Sequence, residues 1–404
     1  MTTQLVEPVA VQRSRLAALL HGPWPLLVAT ASVGCLIALR PDRGDVEIYR
    51  QGGRAAVTTG AVFAYQQQGH GFTYPPFAAL VMALLAWLPN WAMWAALVLG
   101  GIGALGVVLA LSAPGIFAAA RRRAGNSTLG LAALVVSEPV VTTLRFGQVD
   151  LLLAAIVMAD VLVFRRGVLL GFATAMKLTP GLFVVYLLAR RRYREARTAA
   201  ATFAVSVLWG FLVLPRTSST YWTHNLIAGT GVGSFTTVGN QSVHGVISRV
   251  LGAHLGTAVW LVLAVPILVG GLRLACRAAE AGLAVLAVGT VGVTGCLVSP
   301  VSWPHHWVWF LPLVCGLWRL RAGDLLLTRW LAVAAVFAVV SQFVPLKAVG
   351  IGYVPIAVVL LVLQRGRLAG RRSSASAVRP RDVHPGDTSR PHRQHPRSVH
   401  RNCS

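Results

Sequence analysis

The sequence predicts an all-α integral membrane protein, a polytopic bundle of about 10 to 12 transmembrane helices whose polar loops gather on one side. Three observations carry this. The 404 residues are 55% hydrophobic with a mean hydropathy of +0.66 and only 12% charged, more apolar surface than a soluble core can hide. The apolar residues fall in stretches long enough to cross a bilayer, and the positive charges fall between those stretches.

Residues 16–39 are apolar apart from His21 and a few small residues. At ~1.5 Å per residue they reach roughly 36 Å, enough to cross with some tilt. Arg13 and Arg15 precede this stretch and no small-residue cleavage site follows it, so a retained first span is expected rather than a removed signal peptide. Further spans are expected at 91–113, 129–145, 147–164, 198–215, 256–275, 282–299, 305–319, 325–344 and 350–364. Residues 76–89, opened by Pro75-Pro76 and closed by Pro89, read as a short span or a re-entrant helix. Residues 168–189 are broken by Lys177-Leu178-Thr179-Pro180-Gly181, and such a break at membrane depth is tolerated only inside protein or beside a wet cavity. The organisation is therefore a short cytoplasmic N-terminus (1–15), a membrane domain (16–364) and a disordered, basic cytoplasmic tail (365–404) rich in Arg, His, Pro and Ser.

The net charge of +24 would suit nucleic acid if it formed one patch. Instead it is divided among Arg121-Arg122-Arg123, Arg165-Arg166, the 190–197 run, Arg273 with Arg277, Arg319 with Arg321, and the tail, as the positive-inside rule produces. No nucleic-acid partner is expected. If those clusters are cytoplasmic, residues 40–75, 145–150, 216–255 and 299–306 share the outer face of the plasma membrane. The Ala/Gly/Arg bias suggests a GC-rich bacterial gene. Five isolated cysteines and scattered tail histidines have no ligand spacing, so no metal is expected.

Three of the twelve carboxylates, Asp42, Asp45 and Glu47, stand just after the first apolar stretch. A carboxylate at a membrane surface, followed by aromatic residues and glycine, suits a general base beside a lipid-borne substrate; equally, these acids can simply neutralise Arg40, Arg43, Arg50 and Arg54. Asp150 and Lys177 are costly inside spans and point to a cavity, and a lone lysine beside a helix break can hold a phosphate as a point charge. Snorkelling is the plain alternative for Lys177. Glu138 and Asp160 are weaker candidates, near expected helix ends where a carboxylate reaches water. Asn240, Gln241, His244, Trp303, His305 and His306 combine amides, imidazoles and indoles suited to sugar hydroxyls and a phosphate, although an aromatic belt alone would account for the tryptophans.

Six segments in order resemble glycosyltransferase family 87: Asp45-Val46-Glu47-Ile48-Tyr49, Phe72-Thr73-Tyr74-Pro75-Pro76-Phe77, Gly147-Gln148-Val149-Asp150, Lys177-Leu178-Thr179-Pro180, Asn240-Gln241-Ser242, and Ser299-Pro300-Val301-Ser302-Trp303-Pro304-His305-His306-Trp307. The resemblance covers about residues 40–320 and implies a GT-C fold. It also implies an actinobacterial, polyprenyl-phosphate-mannose-dependent α-mannosyltransferase of cell-envelope biosynthesis. Such an enzyme moves mannose, with inversion, from a lipid-linked β-mannosyl phosphate to a glycolipid or lipoglycan acceptor on the outer face. An α-1,2 linkage is the first expectation. Neither a metal nor any other cofactor is implied.

The resemblance makes Asp45 the catalytic base. Tyr49, Tyr74, Arg145, Gln148, Asp150, Lys177, Asn240, Gln241, His244, Trp303, His305 and His306 are then expected to bind substrate. Cations among them (Lys177, Arg145, a protonated His305 or His306) would steady the departing phosphate, which needs no acid, so one carboxylate suffices. The family often has Asn where this chain has Asp150, and the position of Pro304 varies. Two rivals are a polytopic secondary transporter, whose ionisable residues should sit at midplane between repeats, and a nonenzymatic scaffold, which leaves the polar loops unexplained.

Overall fold

The computed structural model describes residues 44–113, 133–346 and 352–377, apart from 68, 232, 342 and 345. The expected first span, Asp42, and the tail beyond 377 lie outside those residues. Within them the protein is helical, with one two-residue antiparallel pair, β1 (Gln66–Gln67) and β2 (His70–Gly71).

The segment after the first apolar stretch, expected as a loop, is a helix, α1 (Gly44–Thr58). Gly52-Gly53 reads as a loop signal, but its role is close packing: a Cβ on Gly52 would lie 2.6 Å from the Phe72 ring, and one on Gly53 2.8 Å from the backbone of Met82. Val46, Ile48, Tyr49 and Ala56 are buried on the same helix. α1 packs on α2 (Pro76–Ala83), whose opening proline sits at a first-turn position where no amide is needed. At eight residues, roughly 12 Å, α2 does not cross a bilayer. Arg54 donates from Nε to the Ala86 carbonyl at 2.9 Å and ties α1 to the segment after α2.

α3 (Asn90–Ser112) is long and apolar enough to span. The next pair departs from the two separate spans expected at 129–145 and 147–164. α4 (Glu138–Phe146) and α5 (Asp150–Ala159, continued by a π-turn Asp160–Phe164) meet at 114°, a broken span or re-entrant corner. Gly147 forms the corner at φ +63°, and a Cβ there would lie 2.6 Å from the Val46 side chain of α1.

Both weaker carboxylates are structural and do not reach water. Glu138 is 4% exposed and accepts from Ser341 Oγ (2.7 Å) and Tyr353 Oη (2.9 Å). Asp160 is 1% exposed and accepts from the amides of Arg166, Gly167 and Leu170, capping the start of α6 (Val168–Met176). α6 and α7 (Gly181–Ala189) are separated at Lys177, as the sequence predicts.

α8 (Tyr193–Val213) and α11 (Ala253–Glu280) also qualify as spans, yet protein covers only 22% and 11% of their apolar windows, so most of their surface is left for lipid. Between them run α9 (Pro215–Thr220), a π-turn Tyr221–Asn225, and α10 (Val243–Leu251). α12 (Ala284–Val298) packs on α11 and on α13 (Phe310–Trp318), which follows a 3₁₀ turn Pro304–Trp309. α14 (Leu325–Val340) and α15 (Tyr353–Ala377) complete the described chain; α15 continues as helix past the expected tail boundary at 365. Among the described residues four helices are long and apolar enough to span, five if α4 with α5 is one span; the remaining apolar helices are shorter. Trp307 and Tyr353 stack at 5.1 Å in the core beneath the 3₁₀ turn.

Candidate active site

The corner between α4 and α5 meets the first turn of α1 beside a cavity of about 670 Å³, within the range of sites that take a drug-sized ligand. Its walls include Asp45 and Tyr49 from α1, Tyr74 from the loop before α2, Gln148 from the corner, Lys177 from the α6–α7 break, and Trp303, His305 and His306 from the 3₁₀ turn. Residues from five separate stretches of sequence are thereby brought to one space, and eight of the thirteen residues singled out by sequence line it.

Asp45 accepts from Gln148 Nε2 at 2.6 Å. Gln148 Oε1 in turn accepts from the Tyr49 hydroxyl and lies 3.2 Å from the Tyr74 hydroxyl, and the two phenols are 2.8 Å apart. Burial pushes the Tyr49 hydroxyl well above the usual tyrosine range, so it remains a donor. Glu47, two positions from Asp45, belongs to a different network. It accepts from Arg50 (2.6 Å), Gln51 (2.6 Å) and Asn90 (2.6 Å), and the Arg50 bond holds its carboxyl down at about 2.

Lys177 meets Asp150 at 2.7 Å, and its ammonium also lies 5.6 Å from the centre of the Tyr74 ring. Asp150 lines a smaller recess beside the main cavity, with Thr179, Ser299, Ser302 and His306. Asp150 Oδ2 and His305 Nδ1 are buried with no hydrogen-bond partner, and the His305 and His306 rings stand edge to face at 4.6 Å. Asp150, His305 and His306 each offer a ligand atom within 4.8 Å of the others, a set of the kind that holds a cation. Two contacts count against a metal there: the Lys177 ammonium already sits on Asp150, and His306 Nδ1 accepts from the Trp303 amide at 3.3 Å.

Four expected substrate ligands lie elsewhere. Asn240 is fully buried; it donates to the carbonyls of Phe235 and Pro300 and accepts from the amides of Ser242 and Ser302. Gln241 donates to the Val238 carbonyl and accepts from the Tyr353 amide. His244 bonds the Pro300 carbonyl and the Thr257 hydroxyl. These three side chains therefore lash two loops together and hold the wall that carries Trp303. Arg145 is exposed, stacks over Phe146 at 5.6 Å, and does not line the cavity.

Sequence reasoning missed lining residues with no charge to announce them. Phe72, Tyr221, Asn225, Phe235 and Trp260 all face the cavity. The Gly71 amide donates to the Gly231 carbonyl at 3.1 Å, bringing the β2 strand against the 229–233 loop at the cavity rim.

The family model described as glycosyltransferase family 87 matches residues 72–300. The chain is 35% identical over 331 residues, covering 74% of this chain and 78% of the relative, to a polyprenol-phosphate-mannose-dependent alpha-(1-2)-phosphatidylinositol mannoside mannosyltransferase of Mycobacterium tuberculosis. A protein of the same name from Mycolicibacterium smegmatis is 34% identical over 343 residues, covering 73% and 77% of the two chains. A polyprenol-phosphate-mannose-dependent alpha-(1-2)-phosphatidylinositol pentamannoside mannosyltransferase from M. smegmatis is 33% identical over 305 residues, covering 71% and 73%. No solved structure gives a significant match.

Proposed function

Because the chain belongs to glycosyltransferase family 87, a membrane-embedded mannosyltransferase, we propose that it carries mannose from polyprenyl-phosphate-mannose to a phosphatidylinositol-mannoside or lipoglycan acceptor on the outer face of the plasma membrane. The new bond is α-mannosidic, α-1,2 as in the names of its relatives, and forms with inversion. One observation carries the reading: a carboxylate, Asp45, and an ammonium, Lys177, line the same cavity, from α1 and from the α6–α7 break.

Each group has a role set by its charge. Asp45 takes the proton as the acceptor hydroxyl attacks the anomeric carbon, and the C–O bond to the lipid phosphate breaks on the opposite face of the sugar. The electron pair leaves with the phosphate, which is stable as an anion and needs no proton, so the work at that end is electrostatic. Lys177 supplies it, with Asp150 keeping the buried ammonium neutralised until the phosphate arrives. Trp303 offers a flat face for a pyranose ring and is held by its edge-to-face contact with His70 at 5.7 Å. No metal enters this scheme, since every charge it uses comes from the chain.

Incubating membranes that contain the protein with radiolabelled polyprenyl-phosphate-mannose tests the reading. Label should pass into a glycolipid or lipoglycan. Uptake without covalent transfer would instead identify a transporter.

A further inference from the structure

Gln148 was expected to bind substrate, but its side-chain amide is engaged inside the protein, between Asp45 and two phenols. We infer that Gln148 is a positioning residue that fixes the side-chain rotamer of Asp45, and that Tyr49 and Tyr74 lock the Gln148 amide in the one orientation that can do so. The inference rests on Asp45 being the base.

The polarity of the network follows from what each atom can do. A carboxylate only accepts, so the nitrogen of the amide must face Asp45 and the oxygen must face the tyrosines. The Tyr49 proton goes to Gln148 Oε1, and the Tyr74 proton goes to the Tyr49 oxygen at 2.8 Å or to the amide oxygen at 3.2 Å. Turning the amide over would set its oxygen against the carboxylate, two acceptors with no proton between them, whereas the observed orientation gives every donor an acceptor. The backbone supports the same contact. Gly147, in the left-handed region, leaves no room for a Cβ against Val46, the neighbour of Asp45, and the backbone N–H of Gln148 donates to the Thr143 carbonyl at 2.8 Å. Gln148 and Tyr49 are 6% and 2% exposed, so the bond between them is shielded from water. An Asp45 side chain without this partner would sample other rotamers at the first turn of α1 and present its oxygens to the acceptor hydroxyl only part of the time.

The test uses the full chain in membranes, with kcat and the apparent KM for polyprenyl-phosphate-mannose measured separately. Gln148→Met keeps the length and removes the donor. A displaced base should lower kcat by about 10- to 100-fold with KM for the donor unchanged within about twofold. Raised KM with kcat intact would make Gln148 a substrate ligand and overturn the inference, as would unchanged kinetics. If Gln148→Met does not accumulate, Tyr49→Phe with Tyr74→Phe unlocks the amide instead: kcat should fall in the pair, and normal turnover in that pair would overturn the inference. Adding Gln148→Met to Asp45→Asn should cost nothing further, because the group being positioned is already gone; a further loss would show that Gln148 acts elsewhere. The mannosyl-transfer reading fails separately, through absence of label transfer by the wild-type protein.

Discussion

Lys177 and Asp150 meet at 2.7 Å although one sits in the break between α6 and α7 and the other opens α5, and both side chains are about nine-tenths buried. A buried pair of this kind is costly to break from one side, because the remaining charge keeps its desolvation penalty.

The effect of a substitution should therefore depend on whether it leaves a charge stranded. Asp150→Asn retains an oxygen that accepts from the ammonium and should leave substantial activity. Asp150→Leu strands the ammonium and should destabilise the protein by about 3–5 kcal/mol, seen as loss of membrane-inserted protein. Lys177→Met strands the Asp150 carboxylate in the same way and should lower abundance, and the protein that does insert should transfer poorly. Near-normal transfer by Lys177→Met would remove it from the phosphate site.

Asp45→Asn keeps the shape of the side chain and its reach to Gln148 but cannot take a proton. Turnover should fall by about 10²-fold or more at normal abundance. Glu47→Gln, in a network apart from the cavity, should leave turnover within about threefold. An active Asp45→Asn enzyme would move the base to another group.

The Glu47 network carries a pH signature. Its carboxyl is held at about 2 against an ordinary 4.5, chiefly by Arg50, so its contribution to stability is fully present above 4.5 and is lost as the pH falls toward about 2. Thermal unfolding of wild type and Glu47→Gln in detergent should differ by a constant amount from pH 5 to 7, and the difference should shrink on acidification below about 4. A difference that grew on acidification would assign the stability to some other group.

Chelation separates the two readings of Asp150, His305 and His306. If Lys177 supplies the positive charge, transfer should be indifferent to EDTA in washed membranes. Loss of activity restored by a divalent cation would place a metal in that cluster.

Orientation can be read from two exposed positions. Thr59→Cys, just past α1, should react with a membrane-impermeant maleimide in intact cells, and Arg194→Cys, in the first turn of α8, should not. The reverse pattern would put the cavity on the cytoplasmic side.

The sequence made two charged groups of the cavity legible because a carboxylate beside a membrane span and a lysine beside a helix break are expensive to place without purpose. Asp45 and Lys177 both line the cavity, with Tyr49, Tyr74, Gln148 and Trp303 around them. What it hid were the partners of polar side chains. Asn240, Gln241 and His244 look the same in sequence whether they bond a sugar or a carbonyl, and here they bond the backbone. The helix α1 was hidden for a related reason: Gly52 and Gly53 signal a turn locally, whereas the ring of Phe72 and the backbone of Met82, far along the chain, require them small. Glu138 sits near a helix end where water would ordinarily serve, and only the arrival of Tyr353, 215 positions later, encloses it.

Helix α11 bears on the membrane itself. Its 28 residues reach roughly 42 Å, but Arg273, Arg277 and Glu280 occupy its last turns, so the apolar part, residues 255–272, is about 27 Å long and matches a hydrocarbon layer of about 30 Å, and protein covers little of it. Pro266 stands within that apolar part as a ready point of flexure. Trp260, two turns from its start, lines the cavity and holds the Val298 carbonyl at 3.2 Å. One wall of the cavity is thus carried by a helix whose outer surface belongs to the lipid, so a change in how that helix sits in the bilayer would reach the cavity through a single indole.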